Sequence, residues 1–236
     1  MSERTGQDVV LMEDAATGIS LSVRDGVATV RYDQPDSPVN TLNTRVGPVF
    51  EQIFARIEQD ATIVGAMLIS GKPDSWIAGA DIGELSANAA DKKWRGANQA
   101  AINRAQHALA QAPKPVIAFI DGDCIGGGCG MALACDIRIA TPRARFGITP
   151  AKLGLVYPLH DTKLLVDLVG PGQAKRILYT GKILDAVEAC RIGLIDVVAD
   201  SPDEILADIV AGDVRAAAQE AGQQQPVAHR IDAARD

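Results

Sequence analysis

Hydrophobic and polar residues alternate one by one near residue 20. Soon afterwards the hydrophobic residues recur every three or four positions instead. Residues 19–23 and 27–32 alternate on either side of Asp25-Gly26, a dipeptide that favours a tight hairpin turn. Apolar residues then recur three and four positions apart over residues 43–59, which predicts an amphipathic helix. This part of the chain is therefore predicted to be a β-hairpin followed by a helix.

Predicted strands and helices continue to alternate over the next hundred residues. Uninterrupted apolar runs that stop at glycine or proline predict buried strands, and longer amphipathic segments predict helices. The predicted strands are residues 64–70, 116–120 and 136–140, the predicted helices are 91–111 and 128–134, and a glycine-rich turn is predicted at 121–128. This order is typical of the α/β class.

Beyond residue 160 the pattern is mostly helical. Helices are predicted at 162–169, 171–180, 185–191 and 202–220, with a short strand at 194–198. We place the core domain in residues 1–198 and interpret residues 199–236 as a short helical tail, partly mobile because its end is polar.

Charge and composition narrow the class of function. The 236 residues carry 23 Lys and Arg against 30 Asp and Glu, so the formal net charge is -7. Nucleic acids and anionic lipids both attract basic faces, and aromatic residues, at 4%, are few for a platform that stacks bases. The polar first ten residues do not resemble a secretion signal, and no apolar run is long enough to span a membrane. We expect a cytoplasmic protein without nucleic acid or membrane partners.

The four cysteines do not predict a metal site. Cys124, Cys129 and Cys135 are spaced five and six residues apart with no histidine nearby, which fits no common zinc pattern. Without a secretion signal we expect these three and Cys190 to be free thiols, mostly packed as small apolar side chains. No metal is expected.

Three consecutive glycines, Gly126 to Gly128, stand between a predicted strand and a predicted helix. The surrounding residues lack the glycine spacing of dinucleotide-binding loops and the Gly-Lys-Ser/Thr of phosphate-binding loops. A calcium loop that began at Asp121 would end at Ala132 instead of a glutamate.

Glycines that open a helix leave backbone N–H groups unpaired, and such donors can stabilise a developing oxyanion. A second donor has to come from another loop, and residues 78–81 form the comparable turn of small residues. Two turns that serve only for tight packing are the alternative.

Two stretches carry a resemblance to a known family. Residues 71–82, GKPDSWIAGADI, and residues 125–140, which include IGGGC and ACDIRIA, resemble the two signatures of the enoyl-CoA hydratase/isomerase (crotonase) superfamily. Later landmarks of that family match Phe146-Gly147, residues 152–154 and residues 193–196, so the resemblance covers roughly residues 18–200.

The resemblance implies a spiral core of stacked ββα turns, with C-terminal helices that build a homo-trimer or a dimer of trimers. It implies a coenzyme A thioester as substrate and no separate cofactor. The thioester carbonyl would lie between the N–H groups of Ala80 and Gly127. Ala78, near the CoA adenine, and Gly79, Asp81 and Gly126 would contact the substrate.

Hydratases of this family use two glutamates, at positions that hold Gly130 and Pro150 in this chain. Neither residue can transfer a proton, so we expect a lyase, decarboxylase-like or isomerase-like reaction on a thioester enolate. Enoyl-CoA hydration through a water network is one alternative. A catalytically silent acyl-CoA binder or assembly subunit is another.

Residues 146–157, FGITPAKLGLVY, resemble the methylmalonyl-CoA decarboxylase-like branch of the family, and Tyr157 matches its active-site tyrosine. We expect this hydroxyl to donate a proton to the enolate or to orient the carboxylate. The alternative is a half-buried tyrosine whose hydroxyl bonds to backbone. Glu84, His160 and Asp161 are weaker candidates.

Overall fold

A computed structural model describes residues 7–203 and Leu206. These residues form eleven strands, six α-helices and one 3-10 helix. In chain order they are β1 (Val9–Asp14), β2 (Ile19–Arg24), β3 (Val27–Tyr32), α1 (Val46–Gln59), β4 (Gly65–Ser70), β5 (Ser75–Ile77), α2 (Ile82–Ala87), α3 (Lys92–Ala110), β6 (Val116–Ile120), β7 (Asp123–Ile125), α4 (Gly127–Leu133), β8 (Ile137–Ala140), β9 (Arg145–Gly147), the 3-10 helix (Pro150–Leu153), α5 (Leu159–Thr180), β10 (Leu184–Asp185), α6 (Ala186–Arg191) and β11 (Val197–Val198).

The strands belong to two sheets, and the chain passes repeatedly from one to the other. The larger sheet has the order β1-β2-β3-β4-β6-β8-β11 and the smaller one β10-β9-β7-β5. Each of β4, β6 and β8 in the larger sheet is followed by a short strand of the smaller sheet and then by a helical segment. This repeated strand–strand–helix unit confirms the predicted α/β class and the stacked ββα architecture.

The predicted hairpin is confirmed. Strands β2 and β3 pair antiparallel through the turn at Asp25 and Gly26, whose φ angles are 50° and 79°. Two consecutive positive φ angles are what a two-residue hairpin turn of the favoured type requires. From β3 onward the larger sheet is parallel.

Helices α1 and α3 pack against each other beside the sheets. The buried residues of α1 recur at helical spacing and include Val49, Phe50, Ile53 and Ile57, as the sequence pattern predicts. Burying a side chain of that size contributes roughly 1.5–3 kcal/mol, so this stripe is a substantial part of the core. Gly47 lets the two helices approach closely, because a Cβ at that position would overlap the backbone of Ala101.

Helix α5 is interrupted where the sequence predicts a break between two helices. Gly170 has a φ of 74° and is followed by Pro171, so the helical hydrogen bonding stops and restarts there.

Several predictions fall short or stay untested. The sequence pattern does not predict strands β1, β5, β7, β9 and β10 or helix α2, and the glycine-rich turn at 121–128 contains β7. Beyond residue 203 the structure describes Leu206 alone. Most of the helix predicted at 202–220 and most of the predicted tail therefore lie outside the described residues. The division into a core and a tail therefore stays a prediction.

Within residues 7–203, no helix is both long enough and apolar enough to cross a membrane. The same part of the chain holds no group of three or more His, Cys, Asp or Glu side chains suited to a metal ion. The four cysteines are free thiols, and Cys124, Cys129 and Cys135 are buried.

Candidate active site

Two strand ends of the smaller sheet bring the two small-residue turns together. Strands β5 and β7 are parallel neighbours, with Ser75 opposite Asp123 and Ile77 opposite Cys124. Neighbouring parallel strands end on the same side of a sheet, so the turns that follow them lie side by side. Residues 78–81 follow β5, and Gly126 and Gly127 follow β7.

Glycine is what allows these turns to approach so closely. A Cβ on Gly79 would lie 3.4 Å from the Gly127 nitrogen, and a Cβ on Gly127 would lie 3.9 Å from the Ala80 nitrogen. Gly79 and Gly126 have φ angles of 89° and 55°, a region that side chains other than glycine rarely adopt. The backbone N–H groups of Ala80 and Gly127 therefore belong to one small cluster.

The Ala80 N–H is turned toward that cluster by a bridge on its other side. The Leu42 N–H donates to the Gly79 carbonyl at 2.7 Å, and the Asp81 N–H donates to the Leu42 carbonyl at 3.3 Å. Ala80 lies between the two residues that form these bonds. In a parallel bridge the N–H of such a residue points away from the partner, which here is Leu42. The Ala80 N–H finds no protein acceptor within residues 7–203.

Gly127 supplies the second free donor. It is the first residue of α4, a position whose N–H has no acceptor inside the helix. No other acceptor reaches it in the described part of the chain, whereas the preceding Gly126 N–H donates to the Gly147 carbonyl at 2.7 Å. Ala80 and Gly127 are both half-buried, so neither residue is enclosed in the core.

A buried amide holds the segment that carries Leu42. The Asn40 side chain is fully buried, and its Nδ2 donates to the carbonyls of Tyr32 and Trp76 at 2.8 and 3.0 Å. Its Oδ1 accepts from the Gln34 N–H at 2.8 Å. Sequence reasoning missed Asn40, because an asparagine between two turns looks like an ordinary loop residue.

Ala78 and Asp81 frame the first turn. The Ala78 N–H donates to the Asn40 carbonyl at 2.8 Å, so this N–H group is already paired, and the residue is half-buried. The Asp81 carboxylate caps α2 by accepting from the Glu84 N–H at 2.9 Å. A local capping bond of this kind holds the turn that carries Ala80 in place.

Tyr157 lies against the second turn. It is 8% exposed, and its hydroxyl donates to the Gly126 carbonyl at 3.2 Å, an oxygen that also accepts from the Gly130 N–H at 3.3 Å. Burial raises the pKa of the Tyr157 hydroxyl well above its usual value, and the nearby Cys129 and Asp161 raise it further. The hydroxyl is therefore neutral and bonded to backbone, while its oxygen can still accept a hydrogen bond.

A family model for enoyl-CoA hydratase/isomerase matches residues 22–229. The chain belongs to this family. Over 176 residues it is 38% identical to the fatty acid oxidation complex subunit alpha of Shewanella halifaxensis, a match covering 73% of this chain and 24% of that protein. Over 181 residues it is 35% identical to a short-chain-enoyl-CoA hydratase of Clostridium acetobutylicum, covering 76% of this chain and 67% of that protein. The chain thus spans about a quarter of the first relative and two thirds of the second.

Solved structures share the fold. An enoyl-CoA hydratase/carnithine racemase from Magnetospirillum magneticum superposes with a TM-score of 0.80 at 30% identity, covering 91% of this chain and 80% of that one. An enoyl-CoA hydratase from Bacillus anthracis gives a TM-score of 0.79 at 28% identity, covering 86% of this chain and 82% of that one. The resemblance to the crotonase superfamily is thereby confirmed.

This member of the family has no carboxylate at residues 130 and 150. Gly130 is buried, and a Cβ there would collide with the Gln106 amide nitrogen and lie 2.7 Å from Asp161 Oδ2. Pro150 is the first residue of the 3-10 helix and follows Thr149, whose side chain makes no capping bond. His160 is exposed on α5.

Asp161, a weaker candidate from the sequence, is buried near the start of α5. Asp161, Leu165 and Val169 are spaced four residues apart and are all buried, so they form one stripe along α5, and the buried Tyr157 precedes Asp161 by four residues. A carboxylate within an otherwise apolar helical stripe is the signal that could have identified it, because buried acids are rare unless they are paired or functional.

Proposed function

We propose that this chain acts on acyl-CoA thioesters by holding the thioester carbonyl oxygen between the N–H groups of Ala80 and Gly127. One observation carries the proposal: two half-buried N–H groups on adjacent glycine turns find no acceptor within residues 7–203. When a bond at the α-carbon breaks heterolytically, negative charge develops on that carbonyl oxygen. Donors already fixed at that point stabilise the resulting enolate without reorganising.

We further propose a lyase or decarboxylase-like reaction, with a double-bond isomerisation as the related possibility. Water addition needs a group that removes a proton from water, and residues 130 and 150 provide none. Loss of CO2 needs no base, because the electron pair of the breaking C–C bond moves into the enolate. The remaining requirement is a proton for the α-carbon.

The other residues of the two turns support this arrangement. Gly79 and Gly126 bring the two donors together, and Asp81 fixes the first turn by capping α2. We propose that Ala78 lies near the adenine of coenzyme A, and that Tyr157 orients the carboxylate or supplies a proton. Coenzyme A enters as part of the substrate, so no separate cofactor is proposed. A homo-trimer or a dimer of trimers stays a prediction.

Hydration is the second candidate, because a relative at 35% identity is named a short-chain-enoyl-CoA hydratase. It would require a water molecule activated without the carboxylates at residues 130 and 150.

Incubation of the purified protein with methylmalonyl-CoA and, separately, with crotonyl-CoA distinguishes these reactions by product mass. The proposal expects propionyl-CoA from the first substrate and little or no hydrated product from the second. Rapid hydration of crotonyl-CoA without decarboxylation would contradict the lyase proposal and favour the hydratase. Binding of both thioesters without turnover would favour a silent binder.

A further inference from the structure

A buried carboxyl group lies beside Gly130, a residue of α4. Gly130 is one turn along α4 from the glycine turn, as its N–H bond to the Gly126 carbonyl shows. Asp161, on α5, directs Oδ2 to within 2.7 Å of the position that a Cβ on Gly130 would occupy. The carboxyl group of Asp161 therefore lies in the direction that a side chain of residue 130 would take.

The hydrogen bonding of this carboxyl group is incomplete. Asp161 is 2% exposed, and its Oδ2 accepts from Gln106 Nε2 at 3.2 Å. Asp161 Oδ1 and Gln106 Oε1 are both buried and have no partner in the described residues. A buried polar atom left unpaired costs about 1–3 kcal/mol. Retaining two such atoms beside the glycine turn indicates that this group has a role beyond packing.

The surroundings of Asp161 favour exchange of its proton. Burial raises the pKa of the Asp161 carboxyl, while the Gln106 hydrogen bond and the nearby His160 lower it in part. Tyr157, whose own pKa is raised in part by Asp161, is the other titratable group close to it. A carboxyl group whose pKa lies nearer to neutral is better suited to general acid–base catalysis than an ordinary surface aspartate.

We propose that Asp161 is the proton-transfer residue of this site, and that its carboxyl O–H protonates the α-carbon of the enolate held by Ala80 and Gly127. The O–H bond breaks as a C–H bond forms with the electron pair of the enolate, and the thioester C=O bond is restored. The carboxylate left on Asp161 then regains a proton from solvent. This inference rests on the proposed function and assigns the protonation step to Asp161, which leaves Tyr157 to orient the carboxylate.

Exchange of α-hydrogens with D2O tests the step, because the reverse of enolate protonation removes the same proton. The full-length protein and its Asp161→Asn variant are incubated with propionyl-CoA, and deuterium uptake is followed by mass spectrometry. An asparagine side chain keeps the shape of the aspartate but cannot transfer the proton, so exchange should fall by at least about 100-fold. Asp167→Asn is the matched control, since Asp167 lies on the same helix, partly exposed and paired with Lys163.

The affinity for propionyl-CoA and the melting temperature are measured for each variant. The inference expects Asp161→Asn to bind propionyl-CoA within a few-fold of the unsubstituted protein. If the Asp161→Asn variant does not fold, Asp161→Ser replaces it in the same measurements, because serine also removes the carboxyl group and adds no bulk.

The outcomes separate this inference from the proposed function. Undiminished exchange in a folded Asp161→Asn variant would overturn the role of Asp161 and leave the enolate chemistry standing. If Asp161→Asn lowers deuterium exchange and propionyl-CoA binding by the same factor, the role of Asp161 in proton transfer is also overturned, because its role is then structural. No exchange in the unsubstituted protein would contradict the enolate chemistry, and the role of Asp161 would fall with it.

Discussion

At Gly130, atoms from two other helices take the space of a missing side chain. The Gln106 amide and the Asp161 carboxyl group occupy that space, so residues 106, 130 and 161 depend on one another. Gly130→Glu alone would not rebuild a hydratase site, because the new side chain would begin inside the Gln106 amide.

The burial of Asp161 predicts a pH-dependent gain in stability for Asp161→Asn. Burial raises the folded-state pKa of this carboxyl above the unfolded value of about 3.9. Well below the unfolded-state pKa the group is neutral in both states. Between that pKa and the folded-state pKa only the unfolded chain ionises, so the fold loses stability as pH rises, and the loss levels off above the folded-state pKa. Asp161→Asn should therefore melt above the unsubstituted protein at neutral pH, by a margin that shrinks toward pH 4.

Thermal melts of both proteins over a pH series measure this margin. His160 is the neighbour of Asp161 in the chain and lowers the pKa of its carboxyl in part, so the same pair is also compared with His160→Gln present. A margin independent of pH would show that Asp161 carries no unfavourable charge in the folded state.

Helix α4 sits directly on strand β5 because Gly128 has no side chain. A Cβ at residue 128 would overlap the Ile77 carbonyl oxygen, which is backbone and cannot rotate away. Gly128→Ala should therefore displace α4, lower the free energy of unfolding by about 1–3 kcal/mol and reduce activity through the shifted Gly127 N–H.

Gly96→Ala is the matched control for that substitution. Gly96 is exposed within α3, and a Cβ there would meet nothing within 4 Å. The same change should raise the free energy of unfolding by about 0.5–1 kcal/mol, since glycine loses more conformational freedom in a helix. Urea titration compares the two variants, and equal effects would contradict the packing of α4 on β5.

The longer elements could be predicted from the sequence, whereas the short strands could not. Helices α1 and α3 have enough apolar residues at regular spacing to fix their type, and Gly170-Pro171 marks the break in α5. Strands β9 and β10 have three and two residues, too few to show a pattern. Their conformation comes from pairing with strands distant in sequence, which local residues do not encode.

In the whole molecule, the candidate site is assembled from four segments that are separated in the sequence. Ala80 and Gly127 follow two strands of the smaller sheet, Gln106 comes from α3, and the stretch that holds both Tyr157 and Asp161 leads into α5. The two glycine turns could be predicted because their motifs resemble the family signatures. The contact between Gln106 and Asp161 joins residues 55 positions apart and depends on how α3 and α5 pack, so sequence reasoning could not place it.

The ratio of activity between Gly127→Pro and Gly127→Ala tests the central claim most directly. Both variants place a Cβ 2.9 Å from the movable end of the Leu42 side chain, but only proline removes the N–H. Proline is well tolerated at a first helical position, so the fold should persist. With deuterium exchange of propionyl-CoA as the assay, we expect Gly127→Pro to be about 10²–10³-fold slower than Gly127→Ala. Equal rates in the two folded variants would contradict a role for the Gly127 N–H in stabilising the enolate.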